Sequence, residues 1–269
     1  MVAIFMIPAI LFAYTIQDLP ALESKNDFIL GPGKTELFLE PGESADRELY
    51  ITNRLGQDMS FKIEVEDFAG SRDISETIIL LGNQRGPYSL KDYIKPEATE
   101  FTLKNKQRVI LPVTIVIPKD AEPGGLYGTI LVSTSPAASG GKETGAGAST
   151  GGAVTITRLG TLMFVRIKGD VKEEGFLKSF SAKGKKIFER GPIYFDLVFE
   201  NNGNVHLNPY GALEIKNLFG SKVGEIIVDP WFAMPDSLRL REVNWNKSFL
   251  FGRYTAEAKI NRGYGDIIY

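Results

Sequence analysis

The sequence predicts an all-β chain of two tandem antiparallel β-sandwiches, and three observations carry that prediction. From Phe28 onward, apolar and polar residues alternate with period two in runs closed by Gly, Pro or Asn, the pattern of strands with one buried face. Turn clusters separate these runs about every ten residues, a spacing that favours sandwiches over alternating strand–helix units. No stretch shows the periodicity of a long amphipathic helix. At 269 residues, and about 100–150 residues per domain, the chain makes two domains, each able to bury a core without covalent staples.

Taken in order, residues 2–13 are an uninterrupted apolar run and the first charge is Asp18. The run is shorter than the ~20 residues that span a bilayer, and Ala13 and Thr15 supply small side chains for cleavage. Residues 1–25 are therefore assigned as a signal peptide or N-terminal apolar segment, although no Lys or Arg precedes the run. The first sandwich is placed at residues 26–170. Phe61, Ile63 and Val65 share one strand face, with Lys62, Glu64 and Glu66 on the solvent side. Val109, Leu111, Val113, Ile115 and Ile117 form a further apolar face closed by Pro118, and residues 126–133 and 154–167 repeat the theme.

Residues 137–153 are rich in Gly, Ser and Ala; strong strands on both sides make this a long hairpin loop rather than an interdomain linker. Ser89 to Ile94 reads as one helical turn, with Ser89 as N-cap, Leu90, Tyr93 and Ile94 on one face and Pro96 as the stop. The polar stretch 169–175 separates the halves, and residues 171–269 form the second sandwich, with strands around Ile193 to Phe199, Leu213 to Ile215 and Tyr254 to Ile260. Each half repeats a plan. A strand runs into an Asn-rich turn at Asn53 and again at Asn201, and Gly and Tyr precede an alternating strand at 123–127 and 252–254.

Composition removes several function classes. With no Cys there is no thiol nucleophile, Cys-based zinc site or iron–sulfur cluster. A single His obliges any imidazole mechanism to run through His206. With 31 Lys+Arg against 33 Asp+Glu and a net charge of −2, there is no global positive field for nucleic acid.

Pro41-Gly-Glu-Ser, the strand to Asn53, the run from Phe61 to Gly70, and above all Val116-Ile-Pro-Lys-Asp-Ala-Glu-Pro-Gly-Gly-Leu-Tyr-Gly-Thr-Ile130 resemble the N-terminal immunoglobulin-like domain of the WxL-interacting family of bacterial surface proteins. The second half, with Asn201 to Gly211, Asn217-Leu-Phe-Gly220 and Met234 to Arg239, resembles the second sandwich of related exported proteins. The resemblance implies two tandem immunoglobulin-like domains in an exported, envelope-associated, non-enzymatic protein, the first domain associated with peptidoglycan and the second with a surface partner. It also implies a membrane anchor after the second domain; Gly265 to Tyr269 reads as a terminal strand or a truncation.

Chemistry-bearing patterns read mostly as structure. Gly147-Ala-Ser-Thr-Gly151 matches the nucleophile elbow in letters, but Ser149 lies in a Gly/Ala/Ser repeat without the strand-to-helix turn that motif needs. His206, in an Asn-rich turn, reads as a structural side chain. Glu64, Glu66 and Asp67 read as a solvated face, and Asp67 to Asp73 as a loop too sparse in oxygen ligands for calcium. Lys183-Gly-Lys-Lys186 reads as a hairpin tip, and Trp231, Phe232 and Trp245 as packing rather than a glycan platform. Asn246-Lys-Ser248 is a formal glycosylation acceptor.

These readings converge on an extracytoplasmic cell-envelope or surface module that binds or spaces, with no catalytic site, metal or cofactor. Its expected partner is a cell-wall polymer or another surface protein, and it meets the membrane only through a cleaved signal or a missing C-terminal anchor. The alternative is a periplasmic pilus-chaperone-like protein that donates a β-strand to a subunit, for which Val109 to Ile117 offers an alternating apolar strand. A glycan-active enzyme would need two cleft carboxylates, and the sequence nominates none.

Overall fold

The computed structural model describes residues 14–136, 157–184 and 187–263. The chain is all-β, two tandem immunoglobulin-like antiparallel sandwiches, and among the described residues seventeen strands lie in four sheets. In order these are β1 (Thr15–Asp18), β2 (Asp27–Gly31), β3 (Lys34–Leu39), β4 (Ser44–Arg54), β5 (Met59–Gly70), β6 (Ile78–Leu80), β7 (Ile94–Pro96), β8 (Glu100–Leu103), β9 (Gln107–Val116), β10 (Gly124–Pro136) and β11 (Arg158–Ile167). There follow β12 (Gly175–Ala182), β13 (Ile193–Asn201), β14 (Tyr210–Asn217), β15 (Lys222–Val228), β16 (Ser237–Trp245) and β17 (Tyr254–Asn261). The chain divides into two compact units, one of Met1–Glu66, Leu90–Ala121 and Gly128–Phe164, the other of Asp67–Ser89, Glu122–Tyr127 and Val165–Tyr269.

One sheet has the order β1-β9-β4-β2, with β7 also paired to β9; the other has the order β3-β11-β10-β5-β6, with β8 also paired to β5. Alternation in β9 puts Val109, Leu111, Val113 and Ile115 on the core face, each fully buried. The core of the first unit is joined across its sheets by aromatic contacts: Phe28 of β2 meets Phe61 of β5 edge-on at 5.5 Å, and Phe61 stacks on Phe101 of β8 at 5.8 Å. Each such ring removes a large apolar area from water, which dominates the stabilisation of a core.

The second unit sets β12-β13-β16 against β15-β14-β17. Phe195, Leu197 and Phe199 of β13 and Leu213 and Ile215 of β14 supply its centre, closed by Trp231 and Trp245. The repeated strand-to-Asn turns have a common physical basis. Asn53 and Asn201 are fully buried, and each side-chain NH2 donates at 2.9 Å to the carbonyl four residues on, Gln57 or Val205. A second 2.9 Å bond goes to a remote carbonyl, Leu103 or Ala233. Each Oδ1 also accepts the backbone N–H two residues on, at Leu55 or Gly203. A turn that buries backbone groups needs such partners.

Several expectations are corrected. The helical turn is a three-residue 3-10 element, Lys91–Tyr93, whose N-cap is Leu90 with no side-chain cap; Ile94 already opens β7. Pairing with β9 draws the segment there into extended backbone before a second turn can form. Thr15–Asp18, counted with the N-terminal segment, forms β1 and pairs with Gln107–Ile110. Asp67 to Gly70, read as part of a loop, continues β5, because β6 pairs with Phe68–Gly70 and prolongs the ladder.

Candidate functional site

In the second unit, β12 pairs only with β13, and β17 only with β14, among the described residues. These strands border an apolar groove of about 650 Å³ lined by Phe180 and Ala182 of β12, Ile193 and Phe195 of β13, Trp245 of β16 and Ala256 of β17, among others. Its walls are stiffened by rings: Phe180 stacks on Phe195 at 5.6 Å, and Trp245 meets Tyr254 edge-on at 5.3 Å. Ala256 and Ala258, spaced by two on β17 and so on one face, pack partly buried against the core of the unit.

Around the groove the surface is unusually apolar for exposed chain. Ile187, which lines the groove, is 83% exposed, and Phe249 and Phe251, on either side of the lining residue Leu250, are 75% and 84% exposed; exposed apolar side chains of this kind mark interaction surfaces when they are contiguous. Lys247 places its ammonium 5.3 Å from the Trp245 ring and 5.6 Å from that of Tyr254, adding positive charge beside the aromatic wall. An open strand edge offers unpaired N–H and C=O groups, and a groove beside it offers seats for alternate side chains. Together they can take up an extended polypeptide.

The predicted residues fall elsewhere. His206 is buried, and its backbone N–H donates to the Tyr127 hydroxyl at 2.6 Å while the two rings meet edge-on at 5.7 Å. Tyr127 also packs against Phe68 and Tyr88. Gly125 makes room for it, since a methyl at that position would collide with the Tyr127 hydroxyl. This cluster is a packed polar-aromatic node, with the imidazole held between partners.

Asp67 departs from its reading as a solvated carboxylate. It is fully buried, on the same parity as Phe61 and Ile63, and it accepts the Gly86 N–H at 3.0 Å. Glu64 and Glu66 are half-buried rather than open to water, and both hold Arg158, at 3.2 and 2.5 Å. Hydrogen bonding to Lys62 holds the Glu64 carboxyl below its usual pKa. Asp73 caps its own turn through the Ser75 N–H and hydroxyl, at 2.9 and 2.8 Å, which lowers its pKa too. It therefore shares no site with Asp67.

Lys183 is ion-paired with Glu242, while Lys185 and Lys186 lie outside the described residues, as do Ser149 and the 137–153 loop. Trp231 and Trp245 are 6% and 7% exposed, and Phe232 lies under the Arg239 guanidinium at 5.5 Å, so they make no open aromatic platform. Val109 to Ile117, expected as a candidate donated strand, runs through β9 to Val116 and is engaged on both edges. The strand is paired with β4 on one side and with β1 and β7 on the other, its apolar face sealed. Sequence reasoning misses the groove, whose only signal is the apolar Phe249-Leu-Phe251 in a segment without strand alternation. It also misses Tyr88, whose hydroxyl donates to Asp236 at 3.0 Å; burial, then that carboxylate, pushes its pKa up to about 12.

No family model and no curated protein matches the chain. Among solved structures, it is similar to the class 5 fimbriae chaperone CfaA, with 10% identity over 87% of this chain and 99% of the other and a TM-score of 0.43. A chaperone–tip adhesion subunit complex, CsuC–CsuE of Acinetobacter baumannii Csu pili, gives 11% identity over 87% and 97% and a TM-score of 0.42. The CupB2 chaperone of Pseudomonas aeruginosa gives 10% over 86% and 98% and a TM-score of 0.38. The likeness is one of fold.

Proposed function

We propose that this chain works outside the cytoplasm as a non-enzymatic binding protein for another protein, taking an extended segment of that partner onto a strand edge of its second unit. One observation carries the reading: two strand edges, β12 and β17, border an apolar groove lined in part by exposed Ile187 and by Leu250, whose chain neighbours Phe249 and Phe251 are exposed. Main-chain hydrogen bonds to the edge supply affinity in such recognition, and alternate side chains entering the groove supply selectivity. The chaperone-like alternative shares this physics with the roles exchanged: here the described strands offer an acceptor edge, whereas the strand first considered as a donor is sealed in its sheet. Attachment to the cell envelope through a WxL-type surface partner is compatible with the same edge.

The test uses the full chain and two short synthetic peptides, one alternating Val and Thr, the other with Pro at its centre to break the ladder. Emission from Trp245, in the groove wall, is the readout. A saturable change with the first peptide, absent with the second and lost in Ala256→Arg, is expected. An equal response to both peptides, or none to either, refutes strand addition. Retention on isolated cell-wall sacculi without a peptide response would move the assignment to a wall polymer.

A further inference from the structure

On the opposite side of the same unit, β16 turns two cations toward the core. The register pairs Arg239 with Phe199 and Arg241 with Leu197, and directly opposed residues of antiparallel strands project to the same face. Phe199 and Leu197 are 1% and 0% exposed, so the arginine side chains leave β16 on the core face, in line with Val243 and Trp245. Both arginines are half-buried. Neither makes a hydrogen bond or an ion pair with a described residue, and the Nε of each is buried without a partner. A third donor joins them: the Trp231 indole N–H is also buried without a partner, and its ring meets Phe199, the residue opposite Arg239, at 6.2 Å.

The nearest acids in the register cannot answer this charge. Glu200, next to Phe199, is held by Arg72 and Lys178, and Asp196 and Glu242 oppose each other; all three have the other parity and leave their strands on the face away from the arginines, where one Asp196 carboxylate oxygen is itself buried without a partner among the described residues. Burial, and after it the neighbouring Arg241, pulls the Arg239 guanidinium below its usual pKa, as expected where like charges share a dry setting. Unpaired half-buried cations cost stability. Leu238 donates its backbone N–H to the Ser71 carbonyl at 2.9 Å; beyond that bond the strand has no second ladder partner among the described residues, and both half-buried arginines keep part of their surface open to a small solute.

We propose that Arg239, Arg241 and the Trp231 N–H form a binding site for an oxyanion, a carboxylate or phosphoryl group that supplies the missing acceptors. Guanidinium forks match such groups in geometry, and the Phe232 ring under Arg239 fixes the orientation of one fork. A competing account makes the arginines guards that keep other strands off the β16 edge. That account predicts no ligand.

Inorganic phosphate and acetate are titrated separately into the full chain at constant ionic strength set by chloride, followed by tryptophan emission and melting temperature. The expected result is a saturable response to at least one anion below about 0.1 M, a range in which screening is held constant. A response to acetate alone assigns a carboxylate, and one to phosphate alone a phosphoryl group. Arg239→Gln and Arg241→Gln should each weaken it at least about tenfold, since each removes a charged donor, while Glu242→Gln on the outer face leaves it unchanged. The doubly substituted Arg239→Leu, Arg241→Leu chain controls for folding: it should melt at or above the wild-type temperature and ignore both anions. No saturable response in the wild-type chain, or a response that survives in the double variant, overturns the proposal.

Discussion

Replacing Asn201 by Ala removes three buried hydrogen bonds at once. Its NH2 group donates to the Val205 and Ala233 carbonyls, and its Oδ1 accepts the Gly203 N–H, all at 2.9 Å. With a net ~1 kcal/mol for each bond, the loss comes to about 3 kcal/mol, and more where the stranded carbonyls stay dry. Trp231 and Trp245, the only tryptophans of the sequence, both lie in the core of this unit, so urea unfolding followed by their emission reports on the right structure. With an m-value of about 2 kcal/mol/M, the midpoint should fall by about 1.5 M. Asn202→Ala is the control, since that side chain is half-buried and makes no hydrogen bond with a described residue. Its shift should stay within about 0.5 kcal/mol. Equal midpoints for the two variants would refute the argument that Asn201 holds the turn to the strand.

Alkaline pH should weaken the second unit through Tyr88. Its pKa rises from 10.0 to about 12, so the fold favours the neutral phenol; the resulting stability is complete below pH 10.0 and lost as pH climbs through about 12. Tyr88→Phe should flatten that loss in urea midpoints measured across the window, and Asp236→Asn should lower the pKa read by phenolate absorbance. Gly125→Ala should destabilise by about 1–3 kcal/mol, because its methyl meets the Tyr127 hydroxyl. Adding Tyr127→Phe removes the nearest colliding atom but leaves the ring Cζ at 2.5 Å, so a thermal-melt cycle should show the two changes coupled, with only part of the clash relieved in the double variant.

The fold was legible where one face of a strand is buried and the other wet. β9 and β13 follow their alternation residue by residue, and the Asn-turn repeat announced itself in letters before Asn53 and Asn201 were seen to make matching bonds. Asp67 was legible too, had parity been carried two residues past Val65, since odd positions of β5 point inward. The partner that makes its burial tolerable, the Gly86 N–H, lies 19 residues away. No local pattern could supply it.

Strand β16 shows where sequence reading stops. In Leu238-Arg-Leu-Arg-Glu-Val-Asn-Trp245 the two leucines argue for even positions inward, while Val243 and Trp245 argue for odd ones. Alternation alone cannot choose, and no strand is predicted there. Pairing decides it: Trp245 sits opposite Ile193 and Val243 opposite Phe195, both in the core. A large indole and a β-branched side chain at one end outweigh two leucines at the other, because the register of the whole strand must shift together. The consequence is that two arginines are carried inward by residues several positions away. A cation placed by its neighbours' packing, with no acid among the described residues to meet it, is either a tolerated cost or a binding group. The anion titration separates these, because only a binding group returns stability when the missing acceptor is supplied.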